Sequence, residues 1–181
     1  MENIILAGFD GRNNPARTVT EKAKLPCTKL ILPNDKEKAA ELLLETMDKT
    51  KAVCVVILGQ KPCIKDKIAV EPTAERCGNV LHTSLDVTIT AEKLKANGYN
   101  AYISKGCGNS YCNHVYYECL ENGTNCIFLR IPQAKNISDI NALTKAVEEY
   151  IKDLEAYPVR YKVTIIGEHT YLSPVPSQRF Q

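Results

Sequence analysis

Residues 52–58 read AVCVVIL, seven positions without a polar side chain, four of them β-branched. A strand of that composition has no face to turn to water. Both of its faces must be covered, which is the condition of a largely parallel sheet held between helices rather than of a sheet with one wet face. The run is also far too short to span a bilayer. Residues 3–9 (NIILAGF) predict a second buried strand, closed by Gly8 and the turn-rich DGRNNP of 10–15.

The rest of the chain alternates in the same way. A strand is predicted at 28–32, and Asn34 followed by Glu37 makes a capping pattern for a helix to about Met47, with Ala39, Leu42, Leu43 and Met47 on its inner face. Residues 63–70 alternate weakly and predict an antiparallel edge strand, followed by an irregular stretch from 71 to about 80. A helix at 84–97 is stopped by Gly98, a short apolar strand follows at 100–103, and residues 125–131 (NCIFLRI) form a strand cut off by Pro132. Ser138 is placed as the cap of a helix to about Leu154 whose inner stripe is Ile140, Leu143, Ala146, Val147 and Tyr150. One more strand is predicted at 161–166, while 171–181 is broken by Pro174 and Pro176 and has no assigned role. The expected fold is α/β: a three-layer α/β/α domain with a mostly parallel twisted sheet and helices on both faces.

At 181 residues the chain is expected to be one domain. Its 23 basic and 21 acidic residues leave a net charge of +2 without a basic block, so no nucleic-acid partner is implied. The first residues lack the basic start and long apolar stretch of a signal peptide, and a cytoplasmic protein with no membrane partner is expected. Eight cysteines include no C-x-x-C pair, a spacing that suits neither a zinc site nor a secreted disulfide scaffold. No metal or cofactor is implied.

The chemistry is expected in residues 104–120, SKGCGNSYCNHVYYECL, where a Gly-rich turn leads into an amphipathic helix. Cys112 falls in the first helical turn, where free backbone N–H groups and the positive end of the macrodipole favour a thiolate. Against this, Cys112, Val115, Tyr116 and Cys119 share one helix face, the pattern of a core thiol. In open α/β sheets sites lie at the carboxyl ends of strands. Asp10, Gln60 and residues 106–112 each follow a strand, so one crevice is expected to gather them.

With those loops in place, residues 1–150 resemble the pyroglutamyl peptidase I (pyrrolidone-carboxylate peptidase) family, cysteine peptidases that remove an N-terminal pyroglutamate. Gly8-Phe9-Asp10 and Asn14-Pro15 are similar to the family's first loop, Leu58-Gly59-Gln60 to its Leu-Gly-Gln, and SKGCGNSYCN at 104–113 to its nucleophile segment. The resemblance implies Cys112 as nucleophile and an N-terminal pyroglutamyl or related small amide as substrate. Phe9 and Gln60 would receive the lactam ring, and the Gln60 amide offers both a donor and an acceptor. It also implies that Asp66 stands for the family's acidic triad member, that Arg76 helps hold the substrate carbonyl and lowers the thiol pKa, and that the protein is a homo-oligomer. Residues 155–181 lie beyond it, an extension of unknown role.

One departure outweighs the others. The family histidine is replaced by Arg130 in Phe128-Leu-Arg-Ile-Pro132. A guanidinium has no lone pair with which to take a proton from the thiol, and acyl transfer also needs a general acid. Of the three histidines, His114 lies about 200° around the helix from Cys112, His169 falls beyond the resemblance, and His82 is the least poor substitute. The first loop lacks the family's Pro-Phe, and Ser110 takes the place of its tyrosine, with Tyr111 next. Three readings therefore stand: a cysteine hydrolase using Cys112, Asp66 and His82; a degenerate member that binds a small lactam or anion, with Arg76 and Arg130 forming a positive pocket or Arg130 held in an internal salt bridge; and a redox-responsive protein pairing Cys107 with Cys112.

Overall fold

The computed structural model describes residues 3–106, 108 and 110–156, together with the backbones of 161–166 and 169–174. In chain order the elements are β1 (Ile4–Phe9), α1 (Pro15–Lys22), β2 (Thr28–Leu32), α2 (Lys36–Thr50), β3 (Cys54–Lys61), β4 (Ile68–Glu71), β5 (Thr73–Arg76), β6 (Asn79–His82), α3 (Val87–Ala96), β7 (Ala101–Ile103), α4 (Tyr111–Glu121), β8 (Asn125–Pro132), α5 (Ile140–Ala156), β9 (Tyr161–Ile166) and β10 (His169–Pro174). Six strands form the central sheet in the order β2-β1-β3-β8-β4-β7. The first four run parallel; β4 runs antiparallel to β8, and β7 follows β4.

Alternation along the strands builds a core on each face. Leu6, Val56, Leu58, Ile127 and Leu129 pack with α1, α3 and α5, while Ile5, Phe9, Val55, Ile57 and Phe128 pack with α2 and α4. The three-layer α/β/α architecture expected from the strand pattern is the one observed.

Several local expectations change. β4 is interior, not an edge: Ile68 and Val70 are fully buried on one face, and Ala69 and Glu71 on the other. The stretch after it is a hairpin, with β5 and β6 joined by Cys77 and Gly78 at φ +50° and +81°. Two successive positive-φ residues make the tight turn whose twist suits a hairpin. An unanticipated helix, α1, starts at Pro15 behind the Asn14 cap, whose side chain accepts from Ala16 N. Caps shift by one position elsewhere. Asp35 rather than Asn34 caps α2, and Asp139 rather than Ser138 receives the N–H groups of Asn141 and Ala142 at the start of α5.

Candidate active site

Cys112 is the second residue of α4 and is buried at 7% exposure. It faces β3 at Gly59. A Cβ on Gly59 would stand 3.6 Å from the Cys112 Sγ and 2.8 Å from the Phe128 ring, so the absent side chain is what lets α4 and Phe128 close on the strand. The fully buried Phe9 belongs to the same packed cluster as Cys112. Its ring meets Tyr111 edge to face at 5.1 Å, and the Tyr111 hydroxyl donates to Asn34 Oδ1 at 3.0 Å. Gln60 follows Gly59 directly, half-buried at the end of β3. Asn113 fixes the first turn of α4 to β5: its Oδ1 accepts from Glu75 N at 2.9 Å and its Nδ2 donates to Glu75 O at 2.6 Å. Phe9 and Cys112 share one packed cluster, and Gln60 lies one residue beyond the Gly59 that faces the thiol.

Beside Cys112 runs a buried charge network. Arg130 pairs with Gly59 in the sheet register, and its side chain is 12% exposed. Its Nη1 lies 3.6 Å from Glu71 Oε1 and its Nη2 donates to Gln60 O at 3.4 Å. Glu71 is wholly buried. Its Oε1 also accepts from Lys61 Nζ at 3.2 Å, the same ammonium donates to Ser104 Oγ at 2.8 Å, and Tyr116 Oη donates to the Glu71 carbonyl at 3.1 Å. A carboxylate at the end of a fully buried strand requires a cation. In the sequence Glu71 opens a stretch read as irregular, so nothing in the linear chain marked it or the cations that answer it.

The network corrects two assignments. Asp66 does not join Arg130. Its carboxylate accepts from Ser138 N and Ser138 Oγ, both at 2.7 Å, and the Ser138 amide holds its pKa below the usual carboxylate value. Asp66 precedes β4 and steadies the turn before α5; Glu71, at the other end of β4, is the acid that meets residue 130. Arg76 is likewise engaged elsewhere. Its guanidinium lies 4.2 Å over the Tyr117 ring, pairs with Glu118, and sits 2.8 Å from Glu121 Oε2 on the outer flank of α4. Arg76 and Arg130 do not form the expected positive pocket, because each is drawn to a different acid.

The thiol also behaves differently from the sequence expectation. Burial pushes the Cys112 pKa up to about 11, and the neighbouring Tyr111 hydroxyl and the Arg130 charge only moderate that rise. Desolvation outweighs the helix end. With an ordinary value of 9.0, the thiolate fraction at pH 7 falls by about 100-fold. Iodoacetamide at pH 7 should therefore alkylate the exposed Cys63 and Cys77 first, and Cys112 at least about 100-fold more slowly than in the urea-denatured chain. The rate should climb with pH toward 11. Rapid selective loss of Cys112 at pH 7 would contradict this description of the site.

No hydrogen bond or ion pair joins a histidine to Cys112 among the described residues. His82 is exposed on β6, opposite Thr73. His114 Nε2 turns toward Glu37 Oε2 at 3.4 Å and Glu118 Oε1 at 3.9 Å. Cys107 and the side chain of His169 lie outside the described residues, and with them the Cys107–Cys112 pairing. Among the described residues there is no metal-ligand cluster, and no helix is long and apolar enough to cross a membrane.

No protein-family model and no curated protein matches the chain. Solved structures do match. A pyrrolidone carboxyl peptidase mutant from Pyrococcus furiosus aligns at TM-score 0.74 and 18% identity, over 86% of this chain and 99% of that one. The enzyme from Thermococcus litoralis aligns at 0.72 and 20%, over 86% and 96%. That from the keratin-degrading Fervidobacterium islandicum AW-1 aligns at 0.71 and 24%, over 84% and 98%. At these identities the likeness establishes a shared fold over nearly the whole of those chains.

Proposed function

We propose that this chain is a divergent relative of pyroglutamyl peptidase I that receives an N-terminal pyroglutamyl group, or a related small lactam or amide, beside Cys112 and does not hydrolyse it. The observation that supports this reading is Arg130, whose guanidinium lies beside the buried Glu71 and whose charge acts on the Cys112 thiol, at the position where the resemblance puts a histidine. On this reading Phe9, packed in the same cluster as the thiol, meets the apolar part of the ligand, and the Gln60 amide offers a lactam both a donor and an acceptor. With the thiol pKa near 11, Cys112 stays protonated at neutral pH. Arg130 has no lone pair to take that proton and, fixed in its charged form, none to give to a leaving amine. Binding is supported by this arrangement and turnover is not.

A second reading, slow acyl transfer by Cys112, is favoured by the position of the thiol at the first turn of α4, with the Arg130 charge and Tyr111 hydroxyl both drawing its pKa downward. A pyroglutamyl-coumarin amide separates the two. Wild type and Cys112→Ser should release no fluorophore, whereas Arg130→His, which sets an imidazole between Cys112 and Glu71, should release it in a Cys112-dependent way. Release by wild type that disappears in Cys112→Ser would establish the hydrolase. Binding itself is read separately: 2-pyrrolidone should raise the melting temperature of wild type, and its failure to do so would remove the lactam reading.

A further inference from the structure

Outside the crevice, a cavity of about 500 Å³ is lined by Lys61, Tyr102, Ser104, Lys105 and Gly106, among others. Its charge is one-sided. Lys61 and Lys105 are on the lining, and Lys61 and Lys67 stand over the Tyr102 ring, at 5.9 and 5.4 Å from its centre. Among the described residues, the carboxylate bound to this group is Glu71, through Lys61. Such a concentration of ammonium groups at a recess creates a positive potential that draws anions.

Lys61 is also held in place. Its ammonium carries three protons, and Glu71 Oε1 and Ser104 Oγ take two of them. Ser104 in turn is 5% exposed and donates to Gly106 O at 3.2 Å, so its hydroxyl is committed and acts as a brace. The remaining proton is available at the lining of the cavity. Gly106 and Gly108 adopt φ of +152° and +65°, and a Cβ at either would meet nothing within 4 Å.

We propose that this cavity is a binding site for the carboxylate of a small molecule, with Lys61 and Lys105 on its oxygens and Tyr102 on the lining beside it. Two ammonium donors match two carboxylate oxygens. Inorganic phosphate, which clustered ammonium groups also attract, is the competing oxyanion the test must separate. The assignment does not depend on the lactam reading of the Cys112 crevice, although Glu71 links the two sites.

Calorimetric titration of the whole chain with sodium butyrate tests it, with butyramide as the neutral isostere and inorganic phosphate as the competing oxyanion. Butyrate should bind saturably and butyramide should not. Lys105→Met, at an exposed position, should weaken butyrate at least tenfold. Lys61→Met should abolish it, and Arg76→Met should leave it unchanged. Equal binding of butyramide, tighter binding of phosphate, or undiminished butyrate affinity in Lys105→Met would each overturn the assignment. Should Lys61→Met not fold, Lys105→Met decides alone. The same titration with 2-pyrrolidone keeps the readings apart: lactam binding without butyrate binding sinks this site and spares the crevice, and the reverse result does the opposite.

Discussion

Gly8→Ala should be the most damaging single-methyl addition in the described structure. A Cβ at Gly8 would lie 2.3 Å from Thr20 Oγ1 and 2.5 Å from the backbone oxygen of Ala16, inside contact distance of both. Neither atom has room to retreat. Thr20 is fully buried and donates its hydroxyl to that same Ala16 carbonyl at 2.9 Å, and α1 lies directly on β1. Overpacking against backbone forces the helix off the strand, a cost of about 3 kcal/mol or more. For a chain of this size that is a fall in melting temperature of roughly 10 °C. Thermal denaturation followed by circular dichroism reads it directly. A change under about 2 °C would mean that α1 does not seat on Gly8 as described. Gly59→Ala should be milder, since the atom it strikes at 2.8 Å belongs to the Phe128 ring, and a side chain can turn.

Glu71→Gln should destabilise the protein by about 3–5 kcal/mol, the cost of breaking a buried ion pair from one side. Glutamine keeps the shape of the side chain and removes the charge. Lys61 and Arg130 then lose the carboxylate oxygen they share, in surroundings where Lys61 is 21% and Arg130 12% exposed. Asp66→Asn is the instructive partner. Asp66 bonds to Ser138 at the rim, where water can replace what is lost, and the substitution should cost far less. Urea denaturation of the two variants beside wild type compares them at equal chemistry. Equal stabilities would show that the Glu71 network does not hold the sheet together at that end.

Much of this architecture was legible in the linear chain. The runs at 3–9, 52–58 and 125–131 are strands because continuous apolar β-branched sequence has no other stable place in a domain of this size. α2 and α5 were legible from their 3.6-residue stripes. α1 was not, because eight mostly polar residues carry too weak a period. β4 looked like an edge because residues 63–70 alternate only weakly; only the pairing with β7 outside it and β8 inside it makes it interior. Around the thiol, the end of β1 at Phe9 and the start of α4 at Cys112 were placed from strand and helix pattern, and the two residues share one packed cluster. Asp66 and Arg76 were placed by offset along the chain, and offset does not reveal which charge a folded chain brings near.

That contrast marks the division. The sequence by itself determined the layers, the strand faces and the position of a cysteine at the start of α4, since these depend on periods and caps spanning a few residues. Only the tertiary structure decided which charges meet: Glu71 with Arg130 and Lys61, Arg76 with Glu118 and Glu121, Asp66 with Ser138. Those partners lie on separate elements, and Coulomb attraction and desolvation act on distances that exist only after folding. The state of Cys112 follows the same rule. A helix end lowers a thiol pKa and burial raises it; the depth to which Gly59 lets α4 sink against β3 and Phe128 sets which wins, and here burial does.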